Sequence, residues 1–201
     1  MTDLVLQPTS TAQWHALVSE AEFASKCVLN EELESYLVFL LMRFANKPEM
    51  IAKVLALDYL DGNLKKGQSR KQRLREVGDQ CLLFAGFFPK QAERRMVKVS
   101  YFVQIGQSAY QELADSANDE SAKIYTSLAE NFVMIMDILQ TMRFLENEGS
   151  LSNLTPIHAF ELWHETGSQH AYKIIRDFTD AHLVRTEMSC AEMATQEVIL
   201  H

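Results

Sequence analysis

The sequence predicts an all-α protein, a single-domain helical bundle of seven to eight helices. Three observations predict it. Only seven glycines and four prolines punctuate 201 residues, too few for the many tight turns of a sandwich or barrel. Long segments are rich in Ala, Leu, Glu, Gln, Lys and Met, the residues that lose least on entering a helix. Apolar residues make up 47% of the chain and recur at three-to-four spacing, the period of one helix face. A chain of this length builds one core. The one expected hinge is a loop over 146–154, between an N-terminal bundle (1–146) and a C-terminal helical extension (155–201).

Thr9 to Thr11 offer N-caps to a first helix, with Ser10 and Gln13 at capping-box spacing, and the helix reaches about Cys27. Trp14, Leu17, Val18, Ala21 and Ala24 share its buried face, and His15 lies off that stripe at the surface. Asn30 caps a second helix whose first turn holds Glu31, Glu32 and Glu34, favourable beside the positive end of the helix dipole. Every residue from Leu37 to Met42 is apolar, so this helix is expected to be central or covered by a second subunit. Pro48 ends it and opens a third helix, in which Ile51, Val54, Leu55 and Asp58 fall on one face. An exposed loop over 62–68 follows.

Ser69 and Gln72 have capping-box spacing for a fourth helix, which runs through Val77, Cys81 and Phe84 to an expected stop at Gly86. A short turn or helix spans Pro89 to Arg95. Ser100 is expected to cap the next helix, where Gly106 and Ala109 allow close approach of a neighbour. One helix from about Ser121 to Leu145 carries Ile124, Leu128, Phe132, Ile135, Leu139 and Met142 in alternating four-and-three spacing, a bundle helix or a dimer seam. Thr155 and Pro156 start a last long helix with the stripe Ile157, Phe160, His164, Gly167, Ala171, Ile174 and Phe178. Unbroken at Thr166-Gly167-Ser168, it would reach about Arg185. Ser189 and Glu192 suit a short terminal helix or a frayed tail.

The net charge is −8, but it is unevenly placed. Between Lys65 and Lys98 ten basic residues face three acidic ones, so that segment carries +7 and the remainder −15. Lys65, Lys66, Arg70, Lys71, Arg73, Arg94 and Arg95 form the candidate surface for an anionic small molecule or an acidic protein partner. Cations in the first turn of the fourth helix oppose its dipole by about 0.3–1 kcal/mol each, a cost that a docked anion would offset. The acidic remainder and the lack of aromatics within the basic run argue against nucleic acid.

Glu161 and His164 stand one turn apart, the spacing by which helix bundles hold paired metals. A second such pair is absent, so Glu34, Asp58 and Asp79 would have to substitute; the alternative is a satisfied core or interface histidine. Of His158, His164, His170 and His182, only His164 and His182 share a face of an unbroken helix. Asp79, set among apolar neighbours, is expected to anchor a buried ion pair with Arg94 or Arg95. Tyr101 and Tyr110 point to opposite sides of their helix. No P-loop, dinucleotide turn or nucleophile elbow is present, and no cofactor is assigned. Cys27, Cys81 and Cys190 read as reduced thiols in apolar settings, neither a disulfide frame nor a metal knuckle. The opening MTDLVLQPTS has no secretory pattern, and no stretch reaches the roughly 18 apolar residues of a membrane span. A cytoplasmic location is expected.

Glu76-Val-Gly-Asp79, Leu83-Phe-Ala-Gly-Phe-Phe-Pro89, Arg94-Arg95, and Tyr101-Phe102 with Gly106-x-x-Ala109-Tyr110 resemble an uncharacterised family of helical proteobacterial cytoplasmic proteins of about this length. Glu32-Leu-Glu-Ser-Tyr-Leu-Val-Phe-Leu-Leu-Met-Arg43, Leu162-Trp163 and Thr166-Gly167-Ser168 are similar to it too, so the likeness covers roughly Glu31 to Arg185. The resemblance implies a coherent helical fold and brings no assigned activity or catalytic residue. Three functional expectations follow: a cytoplasmic binding or regulatory protein with a basic receiving region, a small helical enzyme with a metal or organic ligand between helices, and a homo-oligomer held by heptad-like helices.

Overall fold

The computed structural model describes residues 9–47, 68–94, 97–117, 119–146 and 154–179. These fold into nine α-helices and no strand, an all-α architecture. In order they are α1 (Ser10–Ser25), α2 (Glu31–Asn46), α3 (Gln68–Phe87), α4 (Pro89–Arg94), α5 (Val99–Ser116), α6 (Asp119–Glu130), α7 (Phe132–Glu146), α8 (Pro156–Thr166) and α9 (Gln169–Phe178). The expected third helix, with Asp58, the loop bearing Lys65 and Lys66, and the terminal segment with His182 and Cys190 lie outside the described residues, as does Arg95. No described helix is long and apolar enough to cross a membrane.

Several helix starts are local devices. Thr9 accepts from the Ala12 N–H, Asn30 from Leu33 and Thr155 from His158, each satisfying a donor the helix itself leaves open. Of the offered Thr9 to Thr11 the cap is Thr9, and two other expected caps move. Ser10 is the first residue of α1, not its cap, and Ser69 already lies inside α3. Ser100 also lies inside its helix, because the N-cap of α5 falls two residues earlier, at Lys98, and the Ser100 hydroxyl turns to Glu165.

α3 is the axis of the bundle. α5 packs antiparallel along it: Arg70 meets Glu112 at one end, and the rings of Phe84 and Phe102 lie 4.6 Å apart at the other. α7 runs parallel to α3, with Gln140 Nε2 donating to Ala85 O at 3.0 Å and Arg143 over the Phe88 ring. Glycines permit both approaches. A Cβ on Gly86 would fall 2.5 Å from Leu139 Cβ, so Gly86 is a packing residue inside α3 and not its stop. A Cβ on Gly106 would fall 3.1 Å from Cys81 Cβ and run into the Phe132 ring, the close approach expected at that position. α1 lies across α2 and α7, α6 folds back on α5, and α8 and α9 form a hairpin against α5 and α7. One hydrophobic cluster runs through all of this, from Val18 to Ile175.

Two long helices of the sequence reading are broken. The expected Ser121–Leu145 helix divides at Asn131 into α6 and α7. Asn131 Nδ2 donates to Ser127 O at 2.8 Å, the same carbonyl that receives its backbone N–H at 3.0 Å, so a side chain competes with the helical ladder there. The last helix stops at Thr166. Gly167 takes the left-handed conformation at φ 79°, which glycine adopts freely, and Ser168 caps α9. The break re-aims the apolar stripe. Ile157, Phe160, His164 and Phe178 are exposed, and the buried face is Ala159, Leu162 and Trp163 on α8 with Ala171, Ile174 and Ile175 on α9.

Candidate functional site

Asp79 sits in the middle of α3 with no solvent exposure. A buried carboxylate needs both charge and hydrogen-bond compensation, and two other helices deliver it. From α2, the Tyr36 hydroxyl donates to Oδ1 at 2.5 Å and the Arg43 guanidinium bonds Oδ2. From α5, the Tyr110 hydroxyl donates to Oδ1 at 2.8 Å. Arg75, one turn back on α3, brings Nε to 3.8 Å from Oδ2 and to 3.3 Å from the Tyr36 oxygen, and its guanidinium lies 5.4 Å from the centroid of the Tyr36 ring. The expected ion pair is therefore real, but its partners are Arg43 and Arg75. Arg94 lies on α4 beyond the far end of α3, exposed.

Burial, and then the Asp79 charge, push both phenols well above the ordinary tyrosine range. They stay protonated and serve as donors to the carboxylate, not as nucleophiles or bases. The electrostatics are lopsided. Two guanidiniums share one carboxylate, and their side chains keep 35% and 43% exposure. Arg43 Nε, moreover, is buried without a hydrogen-bond partner among the described residues. The surroundings of Asp79 thus have surplus positive charge and an unused donor.

The basic segment that is continuous in sequence divides in space. Twenty residues of α3 span about 30 Å at 1.5 Å per residue, so Arg70, Lys71 and Arg73 lie at one end and Lys90 and Arg94 at the other. Arg70 Nη2 reaches Glu112 at 2.7 Å and Arg73 Nη1 reaches Glu76 at 3.1 Å, which neutralises part of the first group. Lys71 is half-buried on the Arg75 side, four residues before it. Lys98 belongs elsewhere, 2.6 Å from Glu165.

Among the described residues the metal candidates are not brought together, and Asp58 lies outside them. His164 is exposed, stacked on the Phe160 ring at 6.1 Å, and Glu161 turns toward Lys98. Glu34 accepts from Ser19 at 3.3 Å and pairs with His15 at 3.1 Å. Among the described residues no three His, Cys, Asp or Glu side chains come together as metal ligands. Cys27 is half-buried and Cys81 buried, both unpaired, and burial pushes the Cys81 thiol up to about 12.

A second buried carboxylate had no signal in the periodicity. Asp137 on α7 accepts from the Ser168 hydroxyl at 2.6 Å, the Gln169 N–H at 2.7 Å and the His170 N–H at 3.3 Å. It closes the first turn of α9 across the bundle. Burial nevertheless raises it to about 6. Beside it, Thr141 donates to Asp137 O at 2.8 Å and meets His170 Nδ1 at 3.2 Å. Its single proton being committed, His170 Nδ1 carries the hydrogen. Burial lowers His170 to about 4.

No family model, no curated protein and no solved structure matches this chain.

Proposed function

We propose that the chain is a cytoplasmic helical binding or regulatory protein that receives an anionic ligand or acidic protein surface on the first half of α3 and the neighbouring face of α2. One observation carries this reading: Asp79 is met by two partly exposed arginines, one more cation than its charge requires. Lys71, one turn from Arg75, extends that surplus along α3. The pairing of Arg70 and Arg73 with carboxylates narrows the receiving surface to Arg43, Lys71 and Arg75.

Poly-L-glutamate at low salt is a suitable probe, since attraction between exposed charges falls with ionic strength. Lys71→Glu leaves the Asp79 network untouched and is expected to weaken binding about fivefold or more, a change of roughly 1 kcal/mol, with an unchanged helical circular dichroism spectrum. Arg94→Glu, at the other end of α3, is expected to bind as the parent does. Equal weakening by both variants, or none by Lys71→Glu, would discard the reading.

A further inference from the structure

Away from the Asp79 group, a half-open cleft of about 170 Å³ lies where the start of α5 faces α8. Val97, Lys98, Val99 and Ser100 form one wall, and His158, Glu161 and Leu162 the other. It is separated from the Arg70 to Arg75 face by most of the length of α5, because Glu112, at the opposite end of that helix, is the Arg70 partner. The volume is below the 300–1,000 Å³ typical of drug-sized ligand pockets. A cleft of that size suits a small ligand.

The charges are arranged by sign. Glu165 is fully engaged: Lys98 Nζ lies 2.6 Å from its Oε1, and the Ser100 hydroxyl donates to its Oε2. Burial pushes Glu165 upward, but these two bonds prevail and hold it below the usual carboxylate range. Lys98 spends one of its three N–H groups there, with the others available to an acceptor. Glu161 is different. It meets Lys98 only at 4.0 Å and takes part in no hydrogen bond among the described residues, so its oxygens keep their acceptor capacity. Because Lys98 is already engaged by Glu165, Glu161 is the less compensated charge and draws an ammonium group, while the remaining Lys98 N–H groups can take an acceptor. A molecule carrying both signs satisfies both, and Val97, Val99 and Leu162 supply an apolar surface beside them.

We propose that this cleft binds a free aliphatic α-amino acid, with its ammonium group on Glu161, its carboxylate toward Lys98 and its side chain against Val97, Val99 and Leu162. The site is separate from the cationic face of α3, and its test does not depend on that face. Calorimetric titration of the full chain with L-leucine, N-acetyl-L-leucine and L-leucinamide reads each charge in turn. Leucine is expected to bind, and each derivative to bind at least tenfold more weakly. Glu161→Gln is expected to weaken leucine at least tenfold and to leave N-acetyl-L-leucine unchanged, with the circular dichroism spectrum retained. Absence of saturable leucine binding at millimolar concentration overturns the proposal. So does equal affinity for the three probes, or a Glu161→Gln variant that binds leucine as the parent does.

Discussion

Asp79 is held by four side chains from three helices, so its removal and the removal of one donor have different costs. Tyr110→Phe deletes one bond and leaves Tyr36, Arg43 and Arg75 in place; a loss of about 1–2 kcal/mol is expected in urea unfolding. Asp79→Ala strands the two guanidiniums and two phenols around a vacated acceptor, and about 3–5 kcal/mol is expected. Similar losses for the two variants would show that the carboxylate is not the centre of the network. That Asp79 would be buried and ion-paired is legible from its apolar neighbours. Its Arg43 partner is not, because Arg43 is 36 residues away on another helix, while Arg94 merely looks close along the chain. The Asp137 and His170 pair gives a pH test. Asp137 is raised from 3.8 to about 6, so its folded form binds protons more readily and its contribution falls as pH rises through that window. His170 is lowered from 6.5 to about 4, so the unfolded chain binds protons more readily and its contribution is lost as pH falls from 6.5 to 4. The two oppose each other in the parent. In His170→Gln only the Asp137 effect remains, so the stability of the variant relative to the parent is expected to rise by up to roughly 3 kcal/mol as pH drops from 6.5 to 4. A relative stability independent of pH in urea titrations at the two ends of that range would refute the assignment.

At the scale of elements, the bundle depends on three helices meeting at glycines. Gly106→Ala would thrust a methyl group into the Phe132 ring and Cys81, and overpacking of this kind costs about 1–3 kcal/mol. Alanine is the better helix former by about 1 kcal/mol, so a stabilised variant in thermal unfolding would mean that α3, α5 and α7 separate readily there. Helix identity and several caps are legible because they are local: Thr9, Asn30 and Thr155 each bond an N–H three residues on. Both breaks are illegible to periodicity, since an Asn side chain competing for Ser127 O leaves the apolar spacing untouched. The Gly167 break likewise turns the buried face of α8 away from the stripe that a continuous helix would present. The cleft between α5 and α8 has no linear signature at all. Glu161 stands one helical turn from His164 in the sequence, yet its charged neighbour in space is Lys98.

At the scale of the molecule, an apparently single basic segment is wound along a helix until its ends face different surroundings. Linear charge counts cannot reveal this, because only the fold decides that Lys98 goes to Glu165 and Arg70 to Glu112. The core is less divided than the charge. Buried residues from α1 through α9 belong to one cluster, and the two tryptophans report on different helices, Trp14 packed against it from α1 and Trp163 within it on α8. Variants keeping one tryptophan each are expected to report the same urea midpoint as circular dichroism; distinct midpoints would mark the C-terminal hairpin as a separate unit. The Asp137 contact also bears on the order in which the chain can assemble. The groups it bonds lie 31 to 33 residues later, so during synthesis the acceptor leaves the ribosome first and waits for the segment it will seat. A helix begun by a distant neighbour cannot be fully nucleated by its own sequence, and protection of the first α9 amides from exchange becomes a signal that the earlier helices have already docked.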